Sequence, residues 1–510
     1  MEIELSLGDP SFTLLHSAGL AGLWMTLNQL DIEGAKYDGL SWKLSDRSIS
    51  LRCDSNDLGA LQWLLTESFQ LQQNGMIALR GLDAKSMRLD ALAIVHQGIL
   101  GTFLQHNSTH KSAGTQTLNF ELDENKQVQV NYKALNSYVY QDFATSLCDR
   151  NGQLLTKPIS VAGWLNPGAA VRHVAFSSDT SFTEPPINAL VLLFAPVACY
   201  YYILRSKLRD KRAQYALVIP EITSLSKFSK YKQNVHHRYA TYQDFHASSL
   251  GDAGLRFLTY EKTIEIMDNF SLPRCQVFTL GTVAWSTQQK TRTDVYTIAA
   301  DEQVSKNYQV CRNHLIDRVI DGKTGAFVAP SFARELISDN LARSRPWYEG
   351  FADKINSNEL FQKLTYERGG LNQVVQNIQT DERDKLFVRA CHEAIRFTYG
   401  KLAKKAEDKK ESVNFDRETI RIRTGLGRCK SASSFREFIT DFWSRAGRIP
   451  TLQNNWEELM GLIMDEKQWK RGRDLALLAL ASYKKDERDR ISENVDDADE
   501  DLGGTDIYGD

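Results

Sequence analysis

Arg172 and His173 stand side by side in the segment GWLNPGAAVRHVAF, Gly163 to Phe176. Pro167 fixes φ in the Asn166-Pro167-Gly168 turn, and Gly168 can take the positive φ of a type II turn. Ala170, Val171, Val174 and Phe176 then lead into a core, where a guanidinium needs an anion to meet it. Two partners fit Arg172: a carboxylate of the same chain, or a nucleic-acid phosphate or base edge.

Further cations are clustered. Between Arg205 and Arg238 nine cations face only Asp210 and Glu221, a local charge of +7. Lys227, Lys230 and Lys232 interleave there with Phe228, Tyr231 and Tyr239, a mixture that suits a phosphate backbone and stacked bases. Lys290 and Arg292 fall in a polar stretch read as a loop between strand-like runs. Arg421, Arg423, Arg428 and Lys430 surround Gly425-Leu426-Gly427, read as a break. Lys470, Arg471 and Arg473 sit near the start of the last helical segment, where cations oppose the helix dipole and an anionic partner is expected. Asn107 and Lys111 lie in a segment read as a polar loop, Asn107 to Ser112, with side chains able to pair with base edges. Taken singly, each run also fits a solvated basic face; together they favour nucleic acid.

Signatures of catalysis are absent. Asp321-Gly322-Lys323-Thr324 resembles the end of a phosphate loop, but Asp317 stands where the first glycine belongs, so a turn is expected. His392-Glu393 opens like a metalloprotease helix, yet Arg396 replaces the second histidine. The adjacent His236 and His237 lack helical ligand spacing. The seven cysteines are scattered, with no Cys-x-x-Cys pair. That argues against a zinc ribbon or a disulfide framework and for a reducing cytoplasm. No metal or cofactor is expected.

The elements that must position these side chains change character along the chain. Ile3 to Leu7 reads as a strand. A buried helix follows, with Asp9 as cap and Pro10 in the first turn, and Gly19 and Gly22 admit a close neighbour. Trp42 to Leu51 reads as two strands turning near Asp46, and Leu58 to Leu71 as a helix. Val128 to Tyr132 and Val277 to Ile298 have strand composition. Ala189 to Leu204 is nearly all apolar, but Pro196 interrupts it and a spanning helix needs roughly 20 residues. It reads as a buried helix breaking into a tyrosine-rich strand. After Pro346 helices dominate: Asn356–Thr365, Asn372–Ile378, Glu382–Lys405, Ser434–Arg445, Leu452–Leu462 and Asp465–Tyr483, with Lys404 to Val413 as a charged joint.

The fold class is therefore α+β: a mixed amino-terminal domain over residues 1–345, an α-helical bundle over 346–490, and an acidic tail over 491–510 expected to be disordered. The net charge of −2 hides a partition, because Glu493 to Asp510 carries −8 and the rest +6. Hydrophobic residues at 42% and charged residues at 25% suit a globular protein of more than one domain.

LLHSAGLAGLWMTL (Leu14 to Leu27), GWLNPGAAVRHVAF and EPPINALVLLFAPVACYYY (Glu184 to Tyr202) together resemble the large subunit of a type I CRISPR surveillance complex, Cascade. The match is with the MYXAN variant grouped with type I-B, also found in some CRISPR-associated transposons, and it is strongest up to about Arg205. The resemblance implies a non-catalytic protein at the 5′ end of the guide RNA. Such a protein inspects double-stranded DNA for a short flanking motif and helps to open the duplex into an R-loop. It implies as partners the guide RNA, the target DNA, the other Cascade subunits, and a helicase-nuclease or transposition proteins. Zinc-binding cysteine clusters of some relatives have no counterpart here. On this reading Arg172, His173, Lys227, Lys230, Lys232, Asn107, Lys111, Lys290 and Arg292 hold the RNA end and the flanking duplex. Arg421, Arg423, Arg428, Lys430, Lys470, Arg471 and Arg473 guide displaced DNA. A stand-alone RNA- or DNA-binding scaffold and a cryptic metal-dependent nuclease are the alternatives.

Overall fold

The structure is a computed structural model. It describes residues 1–123, 126–167, 182–206, 215–234, 240–260, 274–285, 288–322 and 325–484. The chain forms two compact units, one of Met1–Asp301 with Arg318–Pro330, the other of Glu302–Asp317 with Ser331–Asp510. The described fold is mixed α and β, with the sheets in the first unit and helices in the second.

In the first unit, strand Glu2–Ser6 pairs with Ser48–Cys53, which pairs in turn with Leu40–Leu44. Between them runs the buried helix Leu14–Glu33. Its cap is Thr13, not Asp9: Thr13 and His16 form a reciprocal capping box. Asp9 instead accepts from the Ser11 amide at 2.8 Å, closing a local turn before the helix starts. The two expected close approaches are real. A Cβ on Gly19 would lie 2.2 Å from the Val191 carbonyl oxygen, and one on Gly22 2.0 Å from that of Phe194. Those carbonyls belong to the apolar segment, which forms helix Pro186–Leu193, a short turn of helix Ala195–Ala198 and strand Tyr200–Leu204, all buried. Packing within the unit explains its apolarity. No described helix is long and apolar enough to cross a membrane.

Strand Tyr200–Leu204 is the second of a five-stranded sheet in the order His246–Ala247, Tyr200–Leu204, Tyr215–Pro220, Arg274–Trp285, Gln288–Ala299. Long hairpins add His110–Asp123 with Lys126–Tyr138, and Arg318–Gly322 with Gly325–Ala329. Helix Asp57–Ser68 is shorter than the sequence suggests, because Phe69–Leu71 leaves it to pair with Ile77–Leu79.

The second unit is built from helices. The longest, Glu382–Lys409, extends into the expected charged joint, since Lys, Ala and Glu sustain a helix there, and the joint is confined to the residues between Lys409 and Phe415. Helix Phe415–Arg428 likewise runs through the expected break. Gly425 is there because the Phe438 ring would lie 2.2 Å from a Cβ at that position. The segment read as Leu452–Leu462 splits into Pro450–Asn454 and Trp456–Met464, and the last helix is Trp469–Ser482. Residues 485–510, which include the acidic tail, lie outside the described residues.

Candidate nucleic-acid interface

The cations singled out in the sequence meet three fates. Arg172 and His173 lie outside the described residues, as do the side chains of Lys290 and Arg292. The backbone of the latter two is not a loop: both sit in strand Gln288–Ala299, Lys290 opposite Val283 and Arg292 opposite Gly281. Asn107 is exposed in a short 3-10 turn, and Lys111 is exposed on the following strand rather than in a loop. Lys227 and Lys230 are exposed on helix Leu225–Asn234.

Lys232, on the same helix, is only 1% exposed. Its ammonium donates to the carbonyls of Ala198 (3.2 Å) and Cys199, at the end of helix Ala195–Ala198, and lies 3.5 Å from the Tyr200 ring centroid. A cation suits a helix carboxyl end. Burial drives its pKa well below the ordinary lysine value. Lys232 thus closes the core, and the assignment to a phosphate is corrected.

Arg471 and Arg473 are corrected for a similar reason. Arg471 donates to Asp384 (2.8 Å), Asp381 (3.0 Å) and the Tyr348 hydroxyl (3.0 Å). Arg473 is buried, pairs with Asp353 at 2.7 Å and donates to the Cys429 carbonyl at 3.1 Å. The anion anticipated for these cations is present, but it is a set of aspartates of the same unit. Lys470 remains exposed beside the Trp469 ring. Arg421 is exposed and paired with Glu418 three residues earlier, and Arg428 and Lys430 are exposed. Arg423 is half-buried, donating to Asn358 with its guanidinium 5.9 Å from the Phe361 ring. Arg423 and Lys430 share a cavity of about 270 Å³.

A larger groove, about 1540 Å³, lies elsewhere in the second unit. Helix Glu382–Lys409 builds one wall. Asp381 caps it by accepting from the Arg383 amide, and Phe387, Cys391, Ala394, Ile395 and Tyr399 bury one side. Arg396, Gly400 and Lys404, spaced by four, stand on the groove side with Lys401. Arg368 comes from the first turn of Arg368–Asn377, and Arg448 from the turn before Pro450–Asn454. Glu393 fixes that turn by accepting from the Thr451 amide (2.9 Å) and hydroxyl (2.6 Å).

The floor is aromatic. Tyr399 packs on Phe415 (4.9 Å between centroids) and Tyr483 (5.6 Å), and hydrogen-bonds Thr419. Burial raises the Tyr399 pKa, so its hydroxyl stays neutral. Phe397 is half-buried at the rim, with the Arg396 guanidinium 5.1 Å from its ring. Lys401 donates to the Arg445 carbonyl (2.7 Å) and Arg448 to Gln453 (3.1 Å). Among the described residues none of these five cations has a carboxylate partner, although Glu407, Glu411 and Asp416 also line the groove. The buried Nε of Arg368 has no hydrogen-bond partner there. Cations gathered around an aromatic floor can take a chain of phosphates with bases against ring edges.

Sequence reasoning missed this set. The spacing of Arg396 and Lys404 was a usable signal, but Arg368 and Arg448 come from segments 28 and 52 residues away from Arg396 (396−368 and 448−396).

No described group of three His, Cys, Asp or Glu side chains could hold a metal ion. His392 is half-buried, its Nε2 within hydrogen-bonding distance of Ala479 O (3.1 Å) and Ser482 Oγ (3.0 Å), and burial lowers its pKa to about 4. All seven cysteines are buried thiols.

Residues 4–193 match the model of the DevT N-terminal domain, and residues 376–506 that of the DevT C-terminal domain. The chain is 26% identical to the CRISPR-associated protein Cas8a1/Csx13 of Myxococcus xanthus (strain DK1622), across 99% of this chain and 92% of that relative. Two DevT domains in chain order, inside a similarity that runs nearly the length of both proteins, make this chain a homologue of a CRISPR-associated protein and support a CRISPR-associated large subunit.

Proposed function

We propose that the chain is the non-catalytic large subunit of a type I surveillance complex. In it the protein binds guide RNA and double-stranded target DNA, reads a flanking motif, assists R-loop formation and recruits a helicase-nuclease or transposition proteins. Base pairing with the guide reads the sequence, so this subunit needs phosphate contacts and a few base contacts but no catalytic group. In the amino-terminal unit Asn107, Lys111, Lys227 and Lys230 offer exposed hydrogen-bonding and cationic side chains for the RNA end and flanking duplex. In the helical unit the groove receives the displaced single strand, with Arg421, Arg423, Arg428, Lys430 and Lys470 as further phosphate contacts.

One observation carries the nucleic-acid reading: Arg368, Arg396, Lys401, Lys404 and Arg448 line one groove without a carboxylate partner among the described residues. Cations that converge on one concave, aromatic-floored surface present it to a chain of phosphates. The test is binding of a labelled oligodeoxythymidylate by the full chain across a salt series. Replacing Lys401, Lys404 and Arg448 by Ala is expected to weaken binding and to lower the salt slope by about 2, at ~0.7 per phosphate for single strands. Unchanged affinity and slope would refute the groove as the site. Co-purification with guide RNA and backbone subunits tests membership of the complex.

A further inference from the structure

The groove and the acidic tail are complementary, and the chain joins them. Tyr483 lines the groove floor, and the described residues end one position later, at Lys484. Between them and Glu493 lies a neutral stretch, residues 485–492, with three acids and three bases. From Glu493 to Asp510 there are eight carboxylates and no Lys or Arg. Ten residues from Tyr483 to Glu493 reach about 33 Å when extended and about 18 Å as a random coil. Arg396 to Lys404 spans about 12 Å of helix, at 1.5 Å per residue. The linker is therefore long enough to carry the tail along the stretch of helix from Arg396 to Lys404. The three groove acids sit beyond Lys404 along the chain, at the end of the long helix and the start of the next one. The stretch from Arg396 to Lys404 keeps its positive charge.

We infer that the acidic tail, Glu493 to Asp510, occupies this cationic groove in the free protein and is displaced from it by single-stranded nucleic acid. The inference rests on the reading of the groove as a nucleic-acid site. A tethered polyanion competes at an effective concentration in the millimolar range. Weak, non-specific strands would be held off, whereas a strand delivered by the opening of a duplex would compete successfully. The tail would so raise selectivity without contacting a base.

The test uses the full chain with all eight tail acids changed to Asn or Gln, beside the Lys401→Ala/Lys404→Ala/Arg448→Ala variant and the combination of both. With oligodeoxythymidylate at low salt, tail neutralisation is expected to tighten binding about tenfold, and that gain should vanish when the groove cations are absent. A second readout needs no nucleic acid: zero-length carbodiimide crosslinking of the wild-type chain should join tail carboxylates to Lys401 or Lys404, as read by mass spectrometry. If groove substitution weakens binding but tail neutralisation changes nothing and no crosslink forms, the tail inference is overturned and the groove reading stands. If tail neutralisation tightens binding equally with and without the groove cations, the tail acts elsewhere and the inference is again overturned. If groove substitution leaves binding intact, the groove reading itself fails, and crosslinks then decide the tail separately.

Discussion

The start of the last helix and the groove along Glu382–Lys409 are both cation-rich, yet their cations do opposite things. At the first, Arg471 and Arg473 are tied to Asp381, Asp384 and Asp353. At the second, Arg368, Arg396, Lys401, Lys404 and Arg448 have no described carboxylate partner. The difference is one of burial. A guanidinium carried into a core must bring its counter-ion with it, whereas an exposed one, such as Arg396 or Arg448 on the groove wall, stays hydrated and available. Local charge density is therefore a poor guide to which cations lack a counter-ion. The crowded run Lys470-Arg471-Gly472-Arg473 is largely structural, and the dispersed set is the candidate interface.

The sharpest way to break this contrast is Arg471→Ala. Asp384 is buried and would keep only its Tyr348 and Thr380 hydrogen bonds. Removing one partner of a buried pair costs about 3–5 kcal/mol, and the lower end applies because Arg471 is 26% exposed. Adding Asp384→Asn should recover part of the loss. Chemical denaturation checks both, and an unfolded-state shift below about 1 kcal/mol would place Arg471 with the groove cations instead.

Next in size is a pH effect at the neighbouring Asp474. Burial raises its pKa to about 6, against hydrogen bonds from the Gly350 and Ala352 amides that lower it. A carboxyl raised above its unfolded value gives stability that is full below pH 3.8 and declines as the pH rises through about 6. The size is about 2–3 kcal/mol. His392, lowered to about 4, has the opposite slope over the same range: its contribution is full above pH 6.5 and is lost as the pH falls towards 4. The two nearly cancel in the wild type. Asp474→Asn should therefore expose the His392 slope, the variant gaining on the wild type between pH 4 and pH 7 in thermal melts. A parallel pair of melting curves would refute the buried charge.

Smaller again is the groove response. Lys401→Ala, Lys404→Ala and Arg448→Ala should each leave stability within about 0.5 kcal/mol, as exposed side chains do, while their combination weakens single-strand binding about tenfold at low salt. The least effect is expected in the amino-terminal unit. Lys227→Ala with Lys230→Ala should reduce duplex binding only a few-fold, without loss of stability. Lys232→Ala should do the reverse, destabilising the fold because the carbonyls of Ala198 and Cys199 lose their donor. Equal binding losses at all three lysines would restore the original reading of that run.

Much of the fold was legible in the sequence because its signals are local. The buried helix with Gly19 and Gly22, the strand pair around Asp46, the apolar run that breaks before Tyr200 and the helix beginning at Glu382 all follow from side-chain period and turn chemistry. Errors fell where two local signals compete. Asp9-Pro10 is a good helix start, but Thr13 with His16 is closer to the first buried turn and forms the cap. Gly425-Leu426-Gly427 has the composition of a break, yet the helix continues because Gly425 admits the Phe438 ring. Lys290 and Arg292 have loop composition but lie in a paired strand, opposite Val283 and Gly281, where strand pairing overrides propensity.

The sequence alone determined that this chain is a mixed body followed by helices, that its basic and acidic residues are segregated, and that no familiar catalytic motif is present. Those properties depend on residue type and short spacing, which one strand of text contains. Which cations face solvent was decided only by the tertiary structure. Lys227 and Lys232 differ by five positions on one helix, yet one is exposed and the other buried against two carbonyls. Arg368, Arg396 and Arg448 meet only because three helices pack around one aromatic floor. A side chain's charge is written in the chain; its counter-ion is chosen by the fold, because burial sets the electrostatic cost of leaving that charge unpaired.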